Sequence, residues 1–318
     1  MIILLQIVLI CVGFFLLCKG ADLLVDGASS LALNFKLPKL LIGLTIVAFG
    51  TSLPELAVAF KSIYEGSPDI AFGNTIGSGI TNILLILGIS AIIRPIKIKE
   101  KTIYAELPIM LLITLTFTTL LCDIFLQNNN INIFSRSDAI VIILTFGVFI
   151  NYLLRESIKK KEKIKEKPDY KISTSFILMI IGLISLVVGS DLVVDSVEYI
   201  GNMFNISERI ISLTVVTFGT SLPEMITAIV ASRKNESELI LGNILGSNIF
   251  NICVVIGFPI LLYGNVPNIT VNLLDIVMDI LTAFLLFIFC YFDRVISKVN
   301  GYIMVFLFFV YYTIILFI

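Results

Sequence analysis

Apolar residues in this chain form long unbroken stretches rather than amphipathic stripes. Four of these stretches carry few or no charges: Thr102–Cys122, Ile140–Leu154, Ser175–Gly189 and Leu273–Phe292. Because a helix rises about 1.5 Å per residue, stretches of about 20 residues match the roughly 30 Å hydrocarbon layer of a bilayer. The pattern therefore predicts a polytopic membrane protein whose helices are embedded in the lipid bilayer.

Polar segments and breaks marked by Pro or Gly divide the chain into ten predicted transmembrane helices. The predicted spans are 2–33, 39–64, 70–93, 102–122, 138–155, 173–202, 208–232, 238–262, 272–292 and 299–318. A charged loop, 156–172, separates a first five-helix half (1–155) from a second (173–318). The expected fold is therefore all-α. We interpret the charged loop as a solvated tether, with a regulatory or lipid-binding role as the alternative.

Lysine and arginine residues fall mainly on one side of the predicted membrane. Loops on the side of the charged loop hold 18 of them, whereas loops on the other side hold 3. Loops rich in Lys and Arg remain cytoplasmic. We therefore predict a multi-pass protein of the cell membrane with a cytoplasmic charged loop and both termini outside.

Composition excludes several classes of function. The chain is 58% hydrophobic, and its net charge of −1 offers no basic surface to nucleic acid. It contains no His, which removes imidazole zinc sites and the Ser–His and Cys–His pairs of hydrolases. The five cysteines form no CxxC pair and are interpreted as small apolar residues. We expect neither an enzyme nor a bound cofactor.

The two halves contain an internal repeat. With an offset of 169 residues, 13–88 aligns with 182–257 without a gap, and 28 of 76 positions are identical. The identities include polar residues: GADLLVD pairs with GSDLVVD, LTIVAFGTSLPE with LTVVTFGTSLPE, and GNTIGSGITN with GNILGSNIFN. Since each half has an odd number of predicted spans, the second copy should cross the membrane in the opposite direction. Inverted repeats of this kind are typical of secondary transporters.

The motif GTSLPE lies inside a predicted span in each half. Pro54 and Pro223 cannot donate a hydrogen bond to the carbonyl four residues earlier, so each span should be broken there. The breaks should free carbonyl groups around Ala48–Thr51 and Thr217–Thr220, which is tolerated in a membrane only where they line a protein or water-filled cavity.

Each GTSLPE motif ends in a glutamate near the middle of its span. An ionisable group at the bilayer centre costs about 2.5–3.5 kcal/mol. In two inverted halves, Glu55 and Glu224 should meet near the midplane, where a bound cation would remove their mutual repulsion. Structural ion pairing is the alternative, but the neighbouring turns contain no Lys or Arg.

The second repeated motif, GNxxGSxxxN, places oxygen donors on one helix face. Ser78 and Asn82 are four residues apart, as are Ser247 and Asn251. We predict that these four side chains face the glutamates, with hydrogen bonding between helices as the alternative. The glycines of the motif should only pack helices. The sequence leaves two further residues undecided between ligation and packing: Asn74 and Asn243.

The candidate site offers only oxygen ligands. Carboxylates, amide carbonyls, hydroxyls and backbone carbonyls suit Ca²⁺ and Na⁺ better than zinc, copper or Mg²⁺. A third repeated pair, Asp22/Asp26 and Asp191/Asp195, falls near the helix ends on opposite sides of the membrane. We interpret these aspartates as solvated helix ends, with attraction of cations to each entrance as the alternative.

Two copies of G-T-S-L-P-E followed by G-N-x-x-G-S, in two five-helix halves, resemble the α-repeats of the Ca²⁺/cation antiporter superfamily. The resemblance is greatest to prokaryotic sodium/calcium exchangers, and the α-repeats would span about 39–93 and 208–262. It implies ten transmembrane helices, alternating access, and exchange of Na⁺ for Ca²⁺ by a chain that acts as a monomer.

The resemblance also implies a set of ion ligands. In the first half these are Ala48, Thr51, Ser52, Glu55, Ser78 and Asn82; in the second they are Thr217, Thr220, Ser221, Glu224, Ser247 and Asn251. Two positions depart from the family pattern. Some members carry Asp where Asn251 stands, which weakens a potassium-coupled reading, and Thr217 replaces the small residue that matches Ala48.

The leading hypothesis is therefore a Na⁺/Ca²⁺ antiporter. An H⁺/Ca²⁺ or K⁺-dependent exchanger on the same fold is the alternative, because protonated carboxylates could replace sodium. A gated cation channel is disfavoured by the inverted repeat and the broken helices. An intramembrane protease is disfavoured because the chain lacks GxGD, HExxH and a Ser–His pair.

Overall fold

The computed structural model describes residues 2–126, 130–159, 167–203, 217–270 and 272–317. The helices are α1 (Ile2–Phe35), α2 (Lys39–Thr51), α3 (Leu53–Tyr64), α4 (Pro68–Ile93), α5 (Thr102–Leu120), α6 (Asp123–Leu126), α7 (Arg136–Lys159), α8 (Ile172–Met203), α9 (Thr217–Thr220), α10 (Leu222–Arg233), α11 (Ser237–Tyr263), α12 (Leu273–Asp293) and α13 (Lys298–Phe317). Four two-residue strands are β1 (Ile96–Lys97), β2 (Ile133–Phe134), β3 (Val266–Pro267) and β4 (Val295–Ile296).

Within these described ranges, eight helices are long and apolar enough to cross a bilayer. The bent pair α2 and α3 makes a ninth span if it counts as one. The prediction of an all-helical, polytopic membrane fold is confirmed. Residues 208–216 of the predicted span 208–232 and residues 160–166 of the charged loop lie outside the described residues. A count of ten spans, the bounds of the two halves and the sidedness therefore stay predictions.

α1 and α8 pack side by side in opposite directions. A Cβ atom on Gly13 would lie 2.8 Å from the carbonyl oxygen of Gly189, and one on Gly20 would lie 2.8 Å from that of Gly182. Because glycine has no side chain, the two backbones can touch along much of their length. Each half thus contributes its first helix to a long antiparallel pair beside the bundle.

α4 and α11, which carry the GNxxGS motifs, are the most deeply buried of the long helices. Every side chain from Leu239 to Phe250 is buried. A Cβ atom on Gly242 would lie 2.6 Å from the Leu40 carbonyl oxygen and 2.8 Å from the Gly43 Cα atom. The backbone of α11 therefore contacts that of α2, which brings the second-half motif against the first half.

The two faces of the bundle can be told apart by their loops. Tyr170, at the end of the charged loop, accepts hydrogen bonds through its carbonyl from Ser30 and Asn34 at the end of α1. We call this face the loop side. On the opposite side, the Asp69 carboxylate accepts hydrogen bonds from the backbone and hydroxyl of Thr270. α2 therefore begins on the loop side, and α3 ends on the opposite side.

Two short strand pairs join the halves. β1 pairs antiparallel with β4, with Ile96 opposite Ile296, and β2 pairs antiparallel with β3, with Phe134 opposite Val266. β1 and β2 belong to the first half, whereas β3 and β4 belong to the second. Hydrogen bonds between backbones therefore hold the halves together outside the helices.

Candidate ion-binding site

Both GTSLPE motifs break their helices. Between α2 and α3, Ser52 departs from helical geometry with ψ 12°, and the two helices are bent by 47°. Between α9 and α10, Ser221 has almost the same backbone angles, with φ −85° and ψ 1°. Pro54 and Pro223 lie in the first turn of the helix that follows. The predicted breaks are therefore confirmed in both halves.

One detail of the predicted break needs correction. The Ala48 carbonyl oxygen is not free, because it accepts hydrogen bonds from the Ser52 backbone amide at 3.1 Å and from the Thr51 hydroxyl at 3.3 Å. The bond from the Ser52 amide is the ordinary helical one, because Pro54 removes only the donor to Gly50. The Ala48 carbonyl is therefore less available to an ion than the sequence predicts.

Glu224 is fully buried at the junction of the two halves. Its Oε1 atom accepts a hydrogen bond from the Ser52 hydroxyl at 3.0 Å and lies 3.5 Å from the Ser247 hydroxyl. Ser52 is the residue at the break in the first half. The carboxylate of the second half therefore lies directly against the break of the first, as the inverted repeat predicts.

Glu55 is also buried, with 1% of its surface exposed, and it is close enough to Glu224 for electrostatic interaction. Neither Glu55 carboxylate oxygen accepts a hydrogen bond from the described residues, and neither does Oε2 of Glu224. No Lys or Arg in that part of the chain forms an ion pair with either glutamate. Structural ion pairing, the alternative considered from the sequence, is not observed there.

Two equivalent hydrogen bonds connect the halves on either side of the glutamates. The Thr51 hydroxyl lies 3.1 Å from the Asn243 Oδ1 atom, and the Thr220 hydroxyl lies 3.2 Å from the Asn74 Oδ1 atom. The sequence leaves Asn74 and Asn243 undecided between ligation and packing. In the structure, both asparagines hold the threonine at the opposite break.

The serines and asparagines of the GNxxGS motifs point into the same region. The Ser221 hydroxyl lies 3.3 Å from the Ser78 hydroxyl across the two halves. Asn82 Oδ1 and both amide atoms of Asn251 are buried without a hydrogen-bond partner among the described residues. Asn82 and Asn251 begin or adjoin equivalent widened turns of π-helix, Thr81–Leu87 and Asn251–Ile256. Such turns are rare and often occur at functional sites.

One polar residue of this region is missed by the sequence reasoning. Asn248 Oδ1 accepts a hydrogen bond from Asn82 at 2.9 Å, and its amide nitrogen lies 3.4 Å from the Gly79 carbonyl oxygen. Its equivalent in the first half is Gly79, so no repeated polar residue marks the position. Only its spacing of one residue after Ser247 could have suggested it.

The structure thus brings together nearly all the predicted residues. Buried side chains at this junction come from Thr51, Ser52, Glu55, Ser78, Asn82, Thr220, Ser221, Glu224, Ser247 and Asn251. Ala48 contributes its backbone beside them, and Thr217 is the first residue of α9. Within the described chain no cluster of three or more His, Cys, Asp or Glu residues exists. The junction therefore offers two carboxylates among neutral oxygen atoms, a set suited to hard cations.

Comparison with known proteins shows which family this arrangement belongs to. The family model described as "Sodium/calcium exchanger protein" matches residues 5–155 and 174–317. The chain belongs to this family. The sodium/calcium exchanger family consists of ion exchangers rather than enzymes, which agrees with the sequence analysis. The match covers both halves and stops at the charged loop.

Individual relatives of this exchanger-family chain agree with the match. It is 39% identical over 269 residues to the inner membrane protein YrbG of Escherichia coli, covering 81% of this chain and 80% of YrbG. It is 27% identical over 289 residues to the sodium/calcium exchanger MaX1 of Methanosarcina acetivorans, covering 79% of this chain and 81% of MaX1. The resemblance to prokaryotic exchangers seen in the motifs is therefore confirmed.

A solved structure has the same fold as this family member. The sodium-calcium exchanger NCX_Mj, soaked with 10 mM Na⁺ and zero Ca²⁺, superposes with a TM-score of 0.83. The two chains are 31% identical, and the match covers 97% of this chain and 98% of NCX_Mj. The family, the multi-pass membrane fold and its arrangement in two repeats are thereby established for this chain.

Proposed function

We propose that this protein exchanges Na⁺ for Ca²⁺ across the cell membrane, with Glu55 and Glu224 as shared ligands of both ions. The observation that carries the proposal is the set of buried oxygen atoms without donors at the junction of the halves. Three of the four carboxylate oxygens accept no hydrogen bond within the described residues. Buried carboxylates are neutralised by a proton or balanced by a positive charge. One Ca²⁺, or several Na⁺, would supply it.

Residues around the glutamates complete the proposed site. Asn82 Oδ1 and Asn251 Oδ1 are further buried acceptors without a donor in the described chain. Six to eight oxygen ligands, including carboxylates and neutral carbonyls, are typical of Ca²⁺. We assign the remaining ligand positions to the oxygen atoms of the residues named from the motifs: Ala48, Thr51, Ser52, Ser78, Thr217, Thr220, Ser221 and Ser247. To bind an ion, the Ala48 carbonyl would have to give up one of the two hydrogen bonds that it accepts in this structure.

The energetics are compatible with sodium as the counter-ion. Export of Ca²⁺ against a roughly 10⁴-fold gradient and about 100 mV costs about 5.6 plus 4.6 kcal/mol. Each Na⁺ that enters down a roughly tenfold gradient returns about 1.4 plus 2.3 kcal/mol. About three Na⁺ are then needed for each Ca²⁺, which makes the proposed exchange electrogenic.

An asymmetry between the two faces supports alternating access. On the opposite side, a cavity of about 460 Å³ reaches the site between α3, α8 and the end of α9. Its walls include Pro54, Val58, Ser190, Asp191 and Thr220. An ion could therefore approach Thr220 from that side, and the acidic Asp191 near the entrance would attract cations.

On the loop side, an ion pair holds the corresponding region closed. The Lys234 ammonium lies 2.7 Å from the Asp26 carboxylate and 3.1 Å from that of Asp22. Both aspartates are partly exposed, so the ion pair adds to their interpretation as solvated helix ends. The repeat places Glu65 where the second half has Lys234, so Asp191 and Asp195 lack an equivalent lysine. The charge pattern thus favours closure on the loop side.

The proposed function is tested by calcium flux into proteoliposomes. Vesicles loaded with Na⁺ and diluted into Na⁺-free buffer at fixed pH are expected to accumulate radioactive Ca²⁺, because outward Na⁺ drives the exchange. Parallel vesicles with a proton gradient or a K⁺ gradient, and equal Na⁺ on both sides, should accumulate none. Uptake driven by the proton gradient alone would make the protein an H⁺/Ca²⁺ exchanger. Flux without any counter-ion would make it a channel.

The ion pair on the loop side gives a second prediction. Partial burial lowers the pKa of Lys234, but hydrogen bonds and the charges of Asp26 and Asp22 outweigh it and raise the pKa above its usual value. The lysine thus stays charged at physiological pH. Because partly exposed ion pairs contribute about 0.2–1 kcal/mol each, loss of both pairs in Lys234→Ala should speed hydrogen exchange in residues 22–35 about two- to thirtyfold.

The matched control for this experiment is Lys19→Ala, which removes an exposed lysine from α1, the helix that carries Asp22 and Asp26. It should leave hydrogen exchange in residues 22–35 unchanged. Equal exchange rates in wild type and Lys234→Ala would show that the ion pair does not hold the loop side closed.

A further inference from the structure

A buried carboxylate outside the repeated motifs lies beside the candidate site. Asp279 lies in the first half of the membrane-spanning helix α12 and has 5% of its surface exposed. Within the described residues its carboxylate forms no hydrogen bond or ion pair, although Tyr311 is close enough to interact with it electrostatically; its backbone carbonyl accepts a bond from the Thr282 hydroxyl. An acidic side chain buried inside a membrane bundle without a partner marks a functional position by default.

Gly79 makes room for this carboxylate. A Cβ atom on Gly79 would lie 3.1 Å from Asp279 Oδ1. At the equivalent position the second half has Asn248, whose amide nitrogen lies 3.4 Å from the Gly79 carbonyl oxygen. In the first half, therefore, Gly79 has the Asp279 carboxylate beside it and has no amide side chain of its own. The symmetry of the site is broken by one negative charge.

A short series of neighbouring residues leads from Asp279 to the candidate ligands. The Asp279 carboxylate lies beside Gly79, which directly follows Ser78 in the chain. The Gly79 carbonyl lies within hydrogen-bond distance of Asn248, and Asn248 accepts from Asn82 at 2.9 Å. In space, Gly79 alone lies between Asp279 and Ser78, whereas Gly79 and Asn248 lie between Asp279 and Asn82.

A second buried oxygen without a partner lies on the same face of α4. Asp69 bonds to Thr270 near the start of α4 and α12, and Gly79 meets Asp279 further along, so the two helices run in the same direction. Thr75 lies one turn before Gly79, on the face toward Asp279. Its buried hydroxyl has no hydrogen-bond partner among the described residues. A neutral oxygen is therefore available one turn from the carboxylate.

We propose that Asp279 is a third cation-binding carboxylate and that it binds one Na⁺ during exchange. A single carboxylate among neutral oxygens balances one positive charge, whereas Ca²⁺ is held by several carboxylates in most protein sites. Together with Glu55 and Glu224, Asp279 would balance the charge of about three Na⁺, the number that the energetics require. This inference rests on the proposed Na⁺/Ca²⁺ exchange and adds a sodium position to it.

The test compares the sodium dependence of Asp279→Asn with that of wild type. In proteoliposomes, the Hill coefficient for Na⁺-driven Ca²⁺ flux should fall by about one, from about three to about two, because one sodium position is lost. Calcium–calcium exchange in Na⁺-free buffer needs no sodium and reports that the variant is folded. Asp279→Glu keeps the charge and should keep the wild-type coefficient.

Asp275→Asn is the matched control, because Asp275 lies one turn earlier on α12 but already accepts a hydrogen bond from the Tyr311 hydroxyl at 2.9 Å. It should leave the sodium dependence unchanged. An unchanged Hill coefficient in Asp279→Asn would overturn the inference. The inference would also be overturned if Asp279→Asn changed only the pH dependence of the flux, because Asp279 would then bind a proton. If wild type itself shows no Na⁺-driven flux, the proposed function fails instead.

Discussion

Glu55→Gln and Glu224→Gln are each expected to reduce Na⁺-driven Ca²⁺ flux by about 100-fold or more. Glutamine keeps the size of the side chain but removes the charge that balances the ion. Loss of one partner from a buried, hydrogen-bonded charge pair costs about 2–5 kcal/mol, and each 1.4 kcal/mol is a factor of ten. Both variants should still insert, because a neutral amide is easier to bury than a carboxylate.

Two measurements check this result. Flux is measured in proteoliposomes with equal amounts of each variant, and size-exclusion chromatography in detergent shows whether the protein is intact. Glu65→Gln is the control, because this exposed glutamate follows α3 and lies outside the site. It should transport normally. Sodium-driven flux that persists in either buried variant would contradict the assignment of the glutamates as shared ligands.

Gly242→Ala is expected to disrupt the assembly of the two halves. The added Cβ atom would lie 2.6 Å from the Leu40 carbonyl oxygen and 2.8 Å from the Gly43 Cα atom. Both neighbours are backbone atoms and cannot rotate away, so α2 and α11 would have to separate. Overpacking of this kind costs about 1–3 kcal/mol or more. Because α2 leads into the first break, flux should fall together with the melting temperature.

Gly147→Ala provides the matched control. Gly147 lies exposed in α7, and a Cβ atom there meets nothing within 4 Å. Since alanine has a higher helix propensity than glycine, this change should leave the melting temperature unchanged or raise it slightly. Thermal unfolding in detergent measures both variants. Equal melting temperatures for Gly242→Ala and wild type would show that the close contact between α2 and α11 is not needed.

The site was predictable from the sequence because its residues are polar and repeated. Identical GTSLPE motifs in an apolar chain mark positions where burial is costly, and an odd number of spans per half inverts the second copy. Those two facts predict that Glu55 and Glu224, which are far apart in the chain, meet near the midplane of the membrane. The structure agrees, because Glu224 accepts a hydrogen bond from Ser52, at the break that precedes Glu55. The role of the residues as ion ligands stays a prediction.

Features that differ between the halves were not predictable in this way. Asn248 has a glycine as its equivalent, and Asp279 lies beyond the aligned repeat, so neither is marked by identity. The ion pair of Lys234 with Asp22 and Asp26 joins residues more than 200 positions apart. The paired strands are two residues long, too short to show alternation. Tertiary packing alone determines all of these contacts.

Hydrogen bonds across the junction have a consequence for how such a protein can arise. Thr51 bonds to Asn243, Thr220 to Asn74, and Ser52 to Glu224, so each break is completed by the other half. A polypeptide of half this length would leave the polar groups at its break without these hydrogen-bond partners in the membrane interior. It could form a whole pathway only by joining an upside-down copy of itself. Gene duplication and fusion would then fix the two opposite orientations in one molecule.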